Sequence, residues 1–427
     1  MKTLFHYLII FSALLSAATG VAVAGERIVY KGTLGKNTEV VLELEKKSAS
    51  YEGRYFYLRY GVDIPLQGTL AALKEALPKE EHGKQLDTDD NSDPDLPIFI
   101  DPVTKKPRSV WQGEIKGDNY QGTWHNAKTK KNLPFKLHQV GRYDPDAIKP
   151  EGVEAVTIAI TSGTGTGSGI ANGTTIALGN APYEYLKMQF PLQFGPEIIR
   201  KNVGYRLVTD PRTRFAYPRL TRHPNPQVLA SSNQLLEQRH WQMNLAALSC
   251  MATLYAGSQM APGDLGNYDS EKIGVRYLSE TLMTVVESGS TYCGGAHPNN
   301  HYDPITLDLI HGDYLDFNRL FPAQRSHDNQ LDLDPVLADF IREKMKSASN
   351  RASAPADMAP DSDLDTECND VLLEYLDFEF DEPDKISFVI SGIGHAMGAC
   401  LGPRMIIPIS ALKPILKPGA EAYFRID

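Results

Sequence analysis

The first 24 residues constrain this chain most, because they set the compartment in which it folds. Lys2 supplies a positive start. The run from Leu4 to Leu15 is apolar apart from His6 and Ser12, and small residues then lead to Ala22-Val23-Ala24. This is the pattern a signal peptidase cuts after, because its pocket accepts only small side chains at those two positions. The apolar core is shorter than the ~20 residues a bilayer span needs. No cysteine lies near the cut to carry a lipid. The expected product begins near Gly25, is periplasmic or secreted, and has no membrane span once the leader is removed.

Export makes disulfides possible. The chain holds four cysteines, Cys250, Cys293, Cys368 and Cys400, all in its C-terminal half. An even count in an exported chain reads as two disulfides. Of the three possible connectivities, Cys250–Cys293 with Cys368–Cys400 is favoured, since each bond closes a moderate loop between neighbouring elements. Spacing leaves the other two open.

At 427 residues the chain exceeds what one hydrophobic core normally serves, so at least two domains are expected. Its 42% hydrophobic and 22% charged residues are those of an ordinary globular protein. The formal net charge of −10 argues against a nucleic-acid partner, whose binders carry basic patches. The acid is concentrated: between Arg351 and Lys385 there are 12 Asp or Glu and no Lys or Arg. Such a run is a solvated acidic surface, or a field that attracts a basic protein or calcium.

Residues 25–143 read as a small antiparallel β domain. Arg27 to Leu34, Thr38 to Leu44 and Gly53 to Tyr60 are strand-like, and Gly35-Lys36-Asn37 predicts a hairpin between the first two. Gln112 to Ile115, Tyr120 to Trp124 and Phe135 to Gln139 continue the meander, with a turn at Gly117-Asp118-Asn119. Between the two halves, Leu70 to Leu77 is predicted as a short helix. Asp87, Asp89 and Asn91 resemble half of a calcium loop. Ser92 stands where that loop needs Gly and Ile98 where it needs Glu, so a plain polar loop is the better reading. Residues 144–182, rich in Gly, Thr and Ser, are a linker or arm. Their glycines lack a P-loop lysine and a following helix, which excludes a phosphate-binding fingerprint.

Residues 183–427 read as an α+β unit: an antiparallel sheet with helices on one face. Met188 to Phe194, Gly204 to Thr209, Arg276 to Glu287, Ile386 to Ser391, Arg404 to Ile409 and Ala422 to Ile426 are the expected strands. Asn225 is an N-cap followed by Pro226, opening a long helix to about Leu254. Asp334 and Pro335 open a second helix with a Val336, Leu337, Phe340, Ile341, Met345 stripe, and Cys368 to Leu376 suggests a third.

The segment Tyr292-Cys293-Gly294-Gly295-Ala296-His297-Pro298 is the most distinctive. Its glycines let the backbone bend or approach a partner closely. Cys293, His297 and His301 have metal-ligand spacing for a helix. The two glycines and Pro298 argue against that helix, so no metal or other cofactor is expected. Gly294, Gly295, His297, His301 and, in Gly392 to Gly398, His395 are ligand-contact candidates. Ser290 with His297, or Ser391 with His395, forms no nucleophile elbow. Asp308, Asp313 and Asp316 are carboxylates without a defined separation. No residue is assigned as catalytic, and the chain reads as a binding protein ahead of an enzyme.

Tyr292 to Pro298, then Ile305-Thr306-Leu307-Asp308 and Tyr314 to Phe321, resemble a domain of unknown function found in extracytoplasmic bacterial proteins; the Pro403 to Leu416 segment resembles the same domain's end. Tyr30 to Gly35, Gly53 to Tyr57 and Gly122-Thr123-Trp124 resemble a small β module that often precedes it. Relatives of that family include the extracellular domain of a lysozyme-sensing anti-sigma factor and an accessory region of some peptidoglycan deacetylases. The resemblance implies an α+β binding module of the cell envelope and a cationic, lysozyme-like protein partner. The chain lacks the anti-sigma factor's transmembrane and sigma-binding segments and the deacetylase's catalytic motifs, so neither activity is implied. The rival expectations are a cell-wall hydrolase or metal-dependent enzyme using His297, His301 or His395, and an envelope structural module.

Overall fold

The computed structural model describes residues 25–75, 108–144, 176–258, 271–292, 298–327, 330–349 and 362–424. The leader, the acidic Asp87 to Asp95 loop, most of the 144–182 linker, and Cys293 to His297 lie outside them.

Eight strands form the N-terminal region: β1 (Arg27–Leu34), β2 (Thr38–Lys47), β3 (Ser50–Tyr57), β4 (Ile64–Thr69), β5 (Ala72–Glu75), β6 (Ser109–Lys116), β7 (Asn119–Asn126) and β8 (Asn132–Tyr143). Each pairs antiparallel with the next, and β1 also pairs with β8, closing a barrel. The small antiparallel β domain expected above is corrected to a closed eight-stranded barrel. Of the helix expected from Leu70 to Leu77, the described residues 70–75 instead form the turn and second strand of the β4–β5 hairpin, with Thr69 opposite Ala72 and Leu66 opposite Glu75. Ala-Leu-Lys-Glu favours helix intrinsically, but burying Leu73 completely inside the barrel outweighs that weak preference.

An eight-stranded barrel is just wide enough for side chains to fill, and aromatic rings fill this one. Trp111 packs edge-on against Tyr55 at 5.1 Å and Phe135 at 4.9 Å; Tyr120 lies 4.8 Å from Phe135. On β2, Val40, Leu42 and Leu44 point inward while Val41 points out, the period-2 alternation of a strand with both faces covered.

What covers the outside is helix α1 (Pro182–Met188) and helix α2 (Pro226–Ser258). Phe56 meets Tyr183 edge-on at 5.0 Å, and Val29, Val41 and Tyr143 share a core with Trp241, Leu245 and Leu248. A charged network lies beside this core. Arg54 on β3 donates to Glu43 at 3.0 Å, Asp63 at 3.3 Å and Glu184 of α1 at 2.5 Å. Lys187 and Tyr183 of α1 donate to Asp63 at 2.7 and 2.8 Å. Burial opposes the Arg54 charge, and the three carboxylates overcome it, holding its pKa above the usual value.

The C-terminal half is not one sheet with helices on one face. It holds a three-stranded sheet, β9 (Gln193–Arg200), β10 (Val203–Thr209) and β11 (Ala216–Arg222); a four-stranded sheet, β12 (Lys272–Leu278), β13 (Leu282–Thr291), β14 (Asn299–Asp308) and β15 (Asp313–Tyr314); a hairpin of β16 (Gln324–His327) and β17 (Gln330–Leu333); and a three-stranded sheet of β18 (Leu376–Asp381), β19 (Lys385–Ile390) and β20 (Gly402–Pro408). The expected strand from Arg276 to Glu287 is two strands, because Ser279 turns the chain by accepting from the backbone N–H groups of Thr281 and Leu282. Met188, the expected start of the first strand, ends α1, and that strand begins at Gln193; Ala422 and Tyr423, the expected start of the last strand, lie in a 3₁₀ turn, Ala420–Tyr423.

Helices join these sheets. Asn225 caps α2 as expected, accepting from the Gln227 N–H at 2.9 Å. Asn233, two turns on, both accepts from Leu220 N–H (2.8 Å) and donates to its carbonyl (2.9 Å), fastening α2 to β11. Helix α3 (Pro335–Ser349) buries Leu337, Phe340 and Ile341 against Phe378, Phe380 and Phe388. Helix α4 (Ser362–Val371) is held by the Cys368–Cys400 disulfide (S–S 1.99 Å). Cys250 is buried, its sulfur 3.6 Å from the Tyr292 carbonyl oxygen; its expected partner Cys293 falls outside the described residues. No helix among the described residues is long and apolar enough to cross a membrane.

A carboxylate and histidine cluster beside the β13–β14 hairpin as candidate functional site

β13 and β14 pair from Leu282 opposite Asp308 to Thr291 opposite Asn299. The distinctive Tyr292 to Pro298 segment thus joins two hydrogen-bonded strands. Gly294, Gly295 and His297 lie outside the described residues, whereas His301 sits on β14, two residues into the ladder.

The His301 imidazole Nε2 is 3.0 and 2.9 Å from the two carboxylate oxygens of Glu271, the residue just before β12. A glycine makes this possible. His301 is opposite Gly289, and a Cβ there would stand 2.8 Å from the Glu271 carboxylate, so any larger residue would displace it. Burial disfavours the imidazolium, but the Glu271 hydrogen bond and charge outweigh it, and His301 is held above its ordinary pKa.

Two residues further on, Asp303 points to the same face, as strand geometry requires. It is 6% exposed, accepts from Ser391 Oγ at 3.0 Å, and lies opposite Glu287. Burial, with the Glu287 charge adding to it, pushes Asp303 up to about 6. Asp377 on β18 is pushed up to about 7, by burial first and then by Asp303. Glu287, 2% exposed, is matched by Arg239 of α2 and accepts from Tyr217 Oη at 2.7 Å. On the opposite face of β14, Tyr302 donates to Glu379 at 2.6 Å, and burial raises that carboxyl as well. Among the acids that flank the strand, Asp303 and Asp377 are thus held protonated into the mildly acidic range.

His395 heads a 3₁₀ segment, His395–Cys400, and is exposed. The segment's Gly398 packs on Asn300, the residue before His301; a Cβ at 398 would stand 2.8 Å from the Asn300 Nδ2. The His395 loop and the His301 strand thus meet. Cys400 ends the same segment and bonds α4, so the acidic helix is tied to it too.

The Ser391 hydroxyl is committed to Asp303 and is buried, which removes it as a partner of His395 in a nucleophile pair. Of the scattered carboxylates, Asp308 is fully buried and accepts from Tyr423 Oη and Arg319 Nη1, each at 2.6 Å, and from His311 Nδ1 at 2.8 Å. Burial would raise its pKa, but these bonds lower it. Asp316 caps a 3₁₀ turn by accepting from Asn318 N–H at 2.9 Å. Among the described residues no group of three or more His, Cys, Asp or Glu is placed to hold a metal ion.

Sequence reasoning missed Glu271, Glu287, Asp303 and Asp377. The His301-x-Asp303 spacing was the available signal, since alternate residues of a strand share a face. Compared with known families and with curated proteins, the chain finds no match.

Proposed function

We propose that the chain is an exported binding protein of the bacterial cell envelope that recognises a cationic protein, a lysozyme-like cell-wall hydrolase being the best candidate. The leader sequence and the family resemblance motivate the compartment and the partner class. One structural observation carries the surface. The Cys368–Cys400 disulfide joins acidic helix α4 to the 3₁₀ segment that packs on β14. Glu367 and Asp370 of α4, Glu374 beyond it, and Glu382 and Asp384 in the β18–β19 turn are exposed. Such a field speeds the encounter with a basic partner and steers it toward the hairpin.

The test is calorimetric titration of the purified chain with several lysozymes at low and physiological salt, repeated on Glu367→Gln/Asp370→Asn/Glu374→Gln. Saturable binding that weakens with salt in the parent and loses part of that salt dependence in the variant is expected. Absence of binding to every lysozyme, or identical salt slopes in both proteins, overturns the reading.

A further inference from the structure

Asp308 organises a second constellation, at the turn between β14 and β15. Its Oδ1 accepts from the backbone N–H groups of Ile310 (2.9 Å) and His311 (3.1 Å), and the Gly312 N–H donates to the Asp308 carbonyl at 2.8 Å. Gly312 closes the turn with a φ of +75°, and a Cβ there would collide with Ser231 Oγ of α2. Glycine alone supplies both that backbone conformation and that close approach without strain. The turn is thus fixed from two sides, by its own carboxylate and by the long helix.

The other carboxylate oxygen, Oδ2, sets the histidine. It lies 2.8 Å from His311 Nδ1 and accepts from Arg319 Nη1 and Tyr423 Oη, each at 2.6 Å. Burial works against the Asp308 charge, and these donors outweigh it. An ionised carboxylate only accepts, so Nδ1 carries the imidazole proton and the lone pair lies on Nε2. The His311 side chain is 54% exposed, and its Nε2 has no hydrogen-bond partner among the described residues. Arg319 is 36% exposed, with Nη1 only 3.5 Å from His311 Nδ1. Its remaining guanidinium N–H groups therefore lie beside the imidazole.

We infer that His311 is a general base that activates water against an uncharged carboxylic ester, with Arg319 stabilising the oxyanion. The water oxygen bonds to the carbonyl carbon while Nε2 takes a water proton. The carbonyl electron pair moves onto its oxygen, where the Arg319 N–H groups receive the charge. Collapse re-forms the carbonyl and breaks the bond to the alcohol oxygen, and the imidazolium returns its proton from Nε2 to the departing alkoxide. Ester and water give acid and alcohol, with both side chains restored. Asp308 is the positioning residue: it fixes the tautomer and supports the imidazolium. Charge selects the substrate class. Asp308 and Arg319 cancel, and the neighbouring Asp313 and Asp316 are exposed, so an uncharged ester is favoured over a phosphate ester. This site uses none of the residues proposed above for the cationic partner, and it stands or falls independently of that reading.

The experiment is hydrolysis of p-nitrophenyl acetate by the purified chain, with free imidazole at equal concentration as the reference. The parent should exceed the reference by about 100-fold, the lower end of what a positioned base contributes. His311→Gln, a change at an exposed side chain, should remove that excess. ¹⁵N NMR of the neutral His311 ring should show the Nδ1–H tautomer in the parent. Asp308→Asn should lower the rate and alter those ring signals, which a carboxylate serving only the turn would not do. A parent no faster than free imidazole overturns the inference. So does a His311→Gln variant that keeps the parent's rate, an Nε2–H tautomer in the parent, or an Asp308→Asn variant whose rate and ring signals both match the parent's.

Discussion

Arg239 on α2 and Glu287 on β13 meet through two parallel contacts, Nε to Oε1 at 2.9 Å and Nη2 to Oε2 at 2.6 Å. The pair fastens the long helix beneath the strand that leads into the β13–β14 hairpin. Burial opposes the guanidinium charge and Glu287 more than compensates, so the Arg239 pKa lies above its usual value. Glu287→Gln leaves that buried cation without its counter-charge. A loss of about 3–5 kcal/mol is expected, read from urea unfolding. Replacing both residues by Met should cost less than the single change. A loss below about 1 kcal/mol, the range of an exposed pair, would show that the pair is not holding the helix to the sheet.

Glu271→Gln should lower the His301 pKa, because the carboxylate is what overcomes burial there. The linkage has a definite sign. A histidine raised in the folded state contributes stability that is fully present below its unfolded value of ~6.5 and is lost as pH rises through the folded value. The parent should therefore exceed the variant in stability at mildly acidic pH, with the gap closing above neutrality. NMR titration of the His301 ring protons checks the first statement directly; a midpoint that does not move refutes it.

Asp303 shifts stability with pH in the same sense as His301, over a lower interval. Its carboxyl stays protonated up to about 6 in the folded chain, while the unfolded chain ionises it at ~3.9. Folding therefore takes up a proton between those values, and stability declines as pH rises through the interval. Asp303→Asn keeps an acceptor for Ser391 and removes the titration. The variant should match the parent near pH 4 and exceed it by about 2–3 kcal/mol above pH 7, measured as unfolding free energy against pH. Parallel curves would refute the assignment.

The Cys368–Cys400 bond closes a loop with a sequence separation of 32 residues. Replacing both cysteines by serine should cost about 2–4 kcal/mol. Hydrogen exchange should accelerate in α4 and in His395–Cys400, leaving β1 to β8 unchanged. Equal acceleration across the barrel would mean that the bond serves the whole fold.

Local chemistry was legible where it acts over a few residues. Asn225-Pro226 and Asp334-Pro335 open their helices, Gly35-Lys36-Asn37 turns a hairpin, and Cys368 finds Cys400, because capping, turn geometry and ring closure depend on near neighbours. Barrel closure was not legible. It depends on β1 meeting β8 across more than 100 residues and on Leu73 of a helix-favouring segment finding the interior. The site divides in the same way. His301 stood out by its setting in the sequence. Its partner Glu271, 30 residues away, and Ser391 against Asp303, 88 residues away, exist only through the fold.

The bonds from Arg54 to Glu184 and from Lys187 to Asp63 cross between two stretches of chain that look like separate modules in the sequence. The barrel's outer wall is completed by residues that follow the Gly/Thr/Ser-rich segment, so the barrel is not an interchangeable part. A gene fusion that carried residues 25–143 into another protein would take Glu184 from Arg54 and Lys187 from Asp63, and would leave a bare apolar wall. Evolution could replace either flank only by replacing both.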